Sequence, residues 1–409
     1  MTFKAQFWIK IALFNLLIIA LLGVIMRYKI GFDFPYLTQK NILHAHSHFA
    51  FVGWISHSIY ILLIFFLANR IPHFKFGSYI YLVLLNLFCA YGMLLSFFFS
   101  GYSFISIALS TLSILNNFLF TVYFYRDFNK IPHEPGIPWF KAALAFNLFS
   151  SLGTFYLAYI MSTRHFNEHL YLASVYFYLH FQYNGFFIFS CMGFAVHTVL
   201  KFLPTFKYRK YIFNLFFASC IPAYFLSTLW ANLPIWLYLM VVAAAIIQLL
   251  AWLLFLRQIY VAIPEKNNLN AFSKFMFFYL AIAFSIKLLL QLGSTIPEVS
   301  KLAFGFRPVV IAYLHLVLLA IISVFLLTEF YTLKLIQTHK KVIAAISAFL
   351  GTVFLNELVL GVQGVASFSN LPIAHINEML FVVAVMILSA LIFLCYTQLK
   401  PSTQHASDF

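Results

Sequence analysis

Apolar segments of about 20 residues recur along the whole chain, and short links with proline or charged residues separate them. A segment of this length can cross the hydrocarbon core of a bilayer as an α-helix. The first segment lacks a small-residue cleavage site, so we expect a retained helix and not a signal peptide. The pattern predicts twelve membrane-spanning helices, at about residues 7–27, 43–68, 78–99, 103–125, 140–162, 170–199, 211–230, 233–256, 271–292, 308–330, 342–363 and 376–398.

The composition supports this all-α, polytopic membrane architecture. Hydrophobic residues make up 64% of the 409 residues and charged residues only 9%, whereas soluble domains carry roughly a quarter charged residues. No soluble domain, low-complexity stretch or repeat stands out, so residues 1–409 are expected to form a single transmembrane domain. The expected partners are membrane lipids, with a redox partner protein or an additional subunit as a further possibility. No nucleic acid partner is expected.

The net charge of +15 is explained by topology. Basic residues concentrate at the N-terminus, in the even-numbered links and at the C-terminus, which predicts that both termini are cytoplasmic. We therefore expect a multi-pass protein of a bacterial-type inner (cytoplasmic) membrane. Of the 25 Lys and Arg residues, the odd-numbered links hold only Arg27, Lys29, Lys40, Arg164, Lys301 and Arg307.

Three alternating histidines, His44, His46 and His48, open the second predicted helix. At about 100° per residue, His44 and His48 share one helical face, while His46 points nearly opposite and lines up with His57. Imidazoles are costly to place in hydrocarbon without partners, so the cluster suggests a metal or haem iron. Packing alone and an aqueous outer vestibule are the alternatives.

The sixth and tenth predicted helices carry further histidines in the outer half of the bilayer. His169 and His180 lie on the sixth helix, on a polar stripe with Tyr176 and Asn184, and His315 is a lone polar residue on the tenth. Such residues are expected to face a bundle interior and not lipid. Elsewhere, Lys287 and Gln291 lie one turn apart on the ninth helix, as would suit a cofactor cavity.

Two arginines and a tyrosine complete the candidate cofactor site. Arg164 and Arg307 begin the sixth and tenth helices at the outer surface, where a guanidinium can pair with haem propionates. Each can equally be an interfacial anchor. Tyr313 can donate a hydrogen bond near a haem ligand.

The twelve helices, with outer-half histidines on helices 2, 6 and 10, resemble subunit I of the haem-copper oxidases and nitric oxide reductases. The residues His46-Ser47-His48 with Gly53-Trp54 are similar to the His-x-His-x4-Gly-Trp pattern of divergent members, and the Leu-His-Ala-His opening is similar to NnrS-like haem-copper membrane proteins. The resemblance implies a pseudo-threefold bundle and a haem b site between His46 or His48 and His315. It also implies a second site that uses His169 and His180 with a helix 2 histidine, with copper as the further candidate cofactor.

The chain departs from that family in its copper ligands, since helix 7 contains no histidine and helix 10 has His315 alone. We therefore expect a b-type haem membrane protein that lacks a complete copper site and works in electron transfer or nitric oxide or oxygen chemistry. No catalytic residue is assigned. The alternative is a copper or zinc permease with an outward-facing histidine site.

Overall fold

A computed structural model describes residues 4–163, 167–202, 206–262, 269–368 and 371–399. This part of the chain is helical almost throughout and contains no strand. Twelve of its helices are long and apolar enough to cross a membrane, as expected of a polytopic membrane protein. They are α1 (Ala5–Gly31), α2 (Gln39–Ala68), α3 (Gly77–Ser100), α4 (Phe104–Phe128), α5 (Ile137–Ser162), α6 (Glu168–Leu200), α7 (Arg209–Ala231), α8 (Ile235–Tyr260), α9 (Ala271–Gly293), α10 (Arg307–Thr332), α11 (Lys340–Ser367) and α12 (Ile376–Leu399).

Each helix coincides with one predicted span, and the ends differ by at most about four residues because polar turns extend several helices beyond their apolar core. One further helix, Pro297–Gly305, lies between α9 and α10 and was not predicted. Proline occupies its first turn, where no backbone N–H is needed. The side of the membrane on which the termini lie stays a prediction.

The chain forms two compact units. In the first unit α1 packs against α12, and α2 lies between α1 and α3 as its most deeply buried helix. The first unit comprises α1 to α3, α4 as far as Phe120, α10 from Leu326, most of α11, and α12.

The second unit runs from Thr121 through α5 to α9 and ends in α10 at Phe325. Its most deeply buried helix is α6, which packs against α5. Helix α8 packs against α7 and α9, and α9 in turn contacts the middle of α10. The buried polar positions of this unit therefore lie on helices that face one another across its interior.

Three helices contain a widened, π-helical segment: Ala50–Ser56 in α2, Phe181–Phe187 in α6 and Leu316–Ser323 in α10. In a π-helix the hydrogen bonds run from residue i to i+5, and such segments occur frequently at functional sites. The segments of α6 and α10 contact each other within the second unit. Helix α7 is irregular in the opposite sense, since its last part, Pro222–Ala231, is a tighter 3-10 helix.

Candidate functional site

A histidine directly precedes the widened segments of α6 and α10, and another lies two residues before that of α2. They are His180, His315 and His48. A small residue follows each histidine after four intervening positions: Gly53 after His48, Gly185 after His180 and Ala320 after His315. From the sequence, this spacing was noted only for His48 and Gly53, because the four intervening residues differ among the three helices. The pattern marks equivalent positions on α2, α6 and α10, which follow one another at intervals of four helices along the chain.

In α2, side chains of the neighbouring helices hydrogen-bond to the widened segment. The Asn15 Nδ2 of α1 donates to the Gly53 carbonyl at 2.5 Å, and the Asn86 Nδ2 of α3 donates to the Val52 carbonyl at 3.1 Å. The Tyr91 hydroxyl donates to Asn15 Oδ1 at 2.6 Å. A π-helical turn leaves backbone carbonyls without their usual partners, and a buried carbonyl needs one. These amides therefore stabilise the irregular backbone beside His48.

His44 and His48 both face α3, as their spacing predicts. The His48 ring stacks on Phe97, with 4.3 Å between ring centroids and 13° between planes, and the His44 ring meets the edge of Tyr102 at 4.6 Å. The Nε2 atom of His44 is buried and has no hydrogen-bond partner among the described residues. Within the same part of the chain, neither ring nitrogen of His48 takes part in a hydrogen bond. The imidazoles of His44 and His48 thus lie against the rings of Phe97 and Tyr102. No described residue forms a hydrogen bond with His44 Nε2 or with the His48 ring.

His46 and His57 face α1 instead. The His46 ring lies beside Gly23, and the buried His57 contacts the Trp8 carbonyl through Nε2 at 3.3 Å. The three alternating histidines therefore do not converge on one ion. His57 is accounted for as a packed core histidine.

Both ring nitrogens of His180 are engaged within the second unit. Nε2 lies 2.9 Å from the Cys220 carbonyl and Nδ1 lies 3.2 Å from Asn184 Nδ2, so Nε2 donates and Nδ1 accepts. The Cys220 carbonyl is available because Tyr224 donates its backbone N–H to Ile221 at the start of the 3-10 segment. In this arrangement His180 joins α6 to α7 and has no lone pair left for a metal.

His315 in α10 is half-buried, and its ring contacts the backbone of its own helix. Its Nδ1 donates to the Ile311 carbonyl one turn earlier at 2.8 Å. This hydrogen bond places a proton on Nδ1, and an Nδ1–H bound to a backbone carbonyl is common in metal-ligating histidines. In the following widened segment, the Ser323 hydroxyl donates to the Leu318 carbonyl at 2.8 Å. In α10 a side chain of the same helix therefore hydrogen-bonds to a carbonyl of the widened segment.

The remaining candidates are dispersed. His169 is exposed beside Trp230, with 5.1 Å between ring centroids, and it lies 11 positions before His180, about 16 Å away along α6. The structure thus does not bring together the two α6 histidines expected to share a second site. Arg307 is exposed in the first turn of α10, Tyr313 is half-buried, and Arg164 lies outside the described residues. No group of three or more His, Cys, Asp or Glu side chains in the described ranges could hold a metal ion.

No family model matches the chain, and no curated protein matches it. The function has to be inferred from the chain's own residues.

Proposed function

We propose that this membrane protein binds haem b through the outer half of α2, with His48 as an axial ligand, and that it works in electron transfer or in nitric oxide or oxygen chemistry. The observation that supports the proposal is the pair of imidazoles, His44 and His48, beside Phe97 and Tyr102. Among the described residues, the buried Nε2 of His44 has no hydrogen-bond partner and His48 makes no hydrogen bond. His48 is the better ligand of the two because its ring is held by stacking and lies next to the widened segment of α2.

The Nε2 atom of His44 is a buried nitrogen without a partner among the described residues. Leaving such a polar atom unsatisfied costs about 1–3 kcal/mol, and native structures rarely tolerate it without a compensating ligand or ion. A neutral imidazole is a common axial ligand of haem iron, and apolar walls suit a porphyrin. The residues present therefore fit the group. Bound haem would supply one-electron transfer or the binding of a small gas.

His315 as a second ligand stays a prediction from the sequence; in the structure its Nδ1 donates to the Ile311 carbonyl. Pairing of Arg307 with a propionate, and binding of copper, stay predictions. With two histidine ligands the iron would transfer electrons, whereas one ligand and an open position would favour gas binding.

The test is the reduced-minus-oxidised absorption spectrum of the full chain, purified after expression with ample haem. We expect a Soret band that is lost in His48→Ala and weakened or shifted in His315→Ala. The matched control is His169→Ala, because His169 is exposed and should leave the spectrum unchanged. A wild-type protein without a Soret band would overturn the proposal. Metal-dependent uptake of copper or zinc into vesicles, without haem, would then favour the permease.

A further inference from the structure

A lysine is buried in the interior of the second unit. Lys287 on α9 is only 2% exposed, and in the described part of the chain its ammonium group makes no hydrogen bond or ion pair. The ammonium group lies over the face of Phe284, with 5.5 Å between Nζ and the ring centroid. A buried cation in a membrane protein usually marks a functional site, and it needs a partner.

Among the described residues of the second unit, no carboxylate serves as that partner. Lys287 lies within electrostatic reach of His180 and Cys220, and His180 is already bound to the Cys220 carbonyl. The acidic residues in this stretch of sequence lie in links or in the terminal turns of spans. They are Asp127, Glu134, Glu168, Glu265 and Glu298. Asp127, which is buried, already forms an ion pair with Lys130 at 2.7 Å.

Two glutamines extend the polar cluster around the ammonium group. Gln291, one turn after Lys287, donates through Nε2 to Gln248 Oε1 of α8 at 3.3 Å. Both glutamines are at least nine-tenths buried, and Gln291 Oε1 has no hydrogen-bond partner among the described residues. The Lys287 ammonium group is thus a buried donor and Gln291 Oε1 a buried acceptor, one helical turn apart, and neither has a hydrogen-bond partner among the described residues. A rotatable amide can present either its N–H or its oxygen to a bound molecule.

We propose that Lys287, with Gln291 and Gln248, binds a small monovalent carboxylate or a comparable oxyanion. The ammonium group neutralises the anion as a point charge, and the amides fix its orientation. A single ammonium group balances one negative charge, so a monovalent anion matches the site better than a divalent one. The site does not depend on haem binding by α2.

Formate is the probe. In detergent-purified full chain, the thermal unfolding midpoint is followed against sodium formate, with sodium chloride at equal ionic strength as the salt control. Because a ligand that binds only the folded state stabilises it, we expect formate to raise the midpoint by about 2–4 °C near saturation. Equilibrium dialysis with labelled formate should give a saturable site. The Lys287→Met variant should lose both responses, while Lys10→Met, which changes an exposed lysine of α1, should keep them.

Gln291→Leu provides an independent check if Lys287→Met fails to fold. It keeps the ammonium group, so it should bind formate with about tenfold lower affinity, corresponding to the loss of one charge-assisted hydrogen bond. Equal formate binding in wild type and Lys287→Met would overturn the proposal, as would a formate response no larger than that of chloride. A haem spectrum that survives either result would show that only the anion site has failed.

Discussion

Helices α2 and α6 use the same sequence pattern for different purposes. In each, a histidine stands five positions before a glycine and at the edge of a widened helical segment. In α6, His180 contacts the Cys220 carbonyl and Asn184, so the ring ties the helix to α7. In α2, His48 rests on Phe97, and the described residues offer its nitrogens no partner.

The groups that a neighbouring helix presents therefore determine whether such a histidine forms structural hydrogen bonds or keeps a ring nitrogen for a ligand. Helix α7 changes to a 3-10 helix at Pro222 and thereby leaves the Cys220 carbonyl for His180. Helix α3 presents the ring of Phe97 to His48, which offers no hydrogen-bond acceptor in the ring plane. The histidine pattern alone cannot distinguish these outcomes.

The largest expected effect separates the two histidines directly. His180→Leu removes two buried hydrogen bonds and leaves the Cys220 carbonyl unsatisfied, so we expect a loss of about 3 kcal/mol in unfolding free energy. His48→Leu removes no hydrogen bond from a described residue and should cost less than about 1 kcal/mol in haem-free protein. Unfolding of both variants in mixed micelles, followed by circular dichroism, measures the difference. Equal losses would refute the distinction between a structural and an available ring.

A second comparison concerns the amides that support the widened segment of α2. Asn15→Leu leaves the Gly53 carbonyl and the Tyr91 hydroxyl without a partner, whereas Asn86→Leu frees only the Val52 carbonyl. We expect losses of about 2–3 kcal/mol and about 1–2 kcal/mol, respectively. The same unfolding assay applies, and Asn15→Asp serves as a variant of similar size that keeps the acceptor for Tyr91. The reverse order of the two losses would mean that these hydrogen bonds do not stabilise the segment.

The smallest expected effect compares the two glycines. A Cβ at Gly185 would lie 2.6 Å from the Phe146 Cβ of α5, whereas a Cβ at Gly53 would meet the ring of Phe49 at 2.8 Å. A ring can tilt, but a Cβ moves only with its backbone, so Gly185→Ala should cost about 1–3 kcal/mol and Gly53→Ala less than about 1 kcal/mol. Thermal midpoints of the two variants measure this. Gly351→Ala is the control, since a Cβ there meets nothing within 4 Å.

Hydropathy was sufficient to predict the twelve helices, because a membrane span depends on a local property of about 20 consecutive residues. The faces of the α2 histidines also followed from local geometry, and His44 and His48 do share the face opposite to His46. The widened segments did not follow, because residues such as Asn15 and Asn86, distant in sequence, stabilise them.

The sequence predicted individual residues of the candidate sites, but not which residues lie next to one another in the structure. Lys287 and Gln291 stand out in the sequence as polar residues one turn apart in an apolar helix, but their neighbour Gln248 depends on how α8 packs against α9. The engagement of His180 could not be predicted either. It requires a carbonyl that becomes available only where α7 loses its regular hydrogen bonding.

The widened segments also bear on how the length of these helices can change. Their i→i+5 hydrogen bonds take up about one residue more than an ordinary α-helix while the flanking turns keep their orientation. Removing one residue from Ala50–Ser56 would therefore restore an ordinary α-helix and leave His57 directed at the Trp8 carbonyl. A deletion of the same size in a regular part of α2 would instead rotate everything beyond it by about 100°. The widened segments are thus the positions at which these helices can lose a residue with the least disturbance.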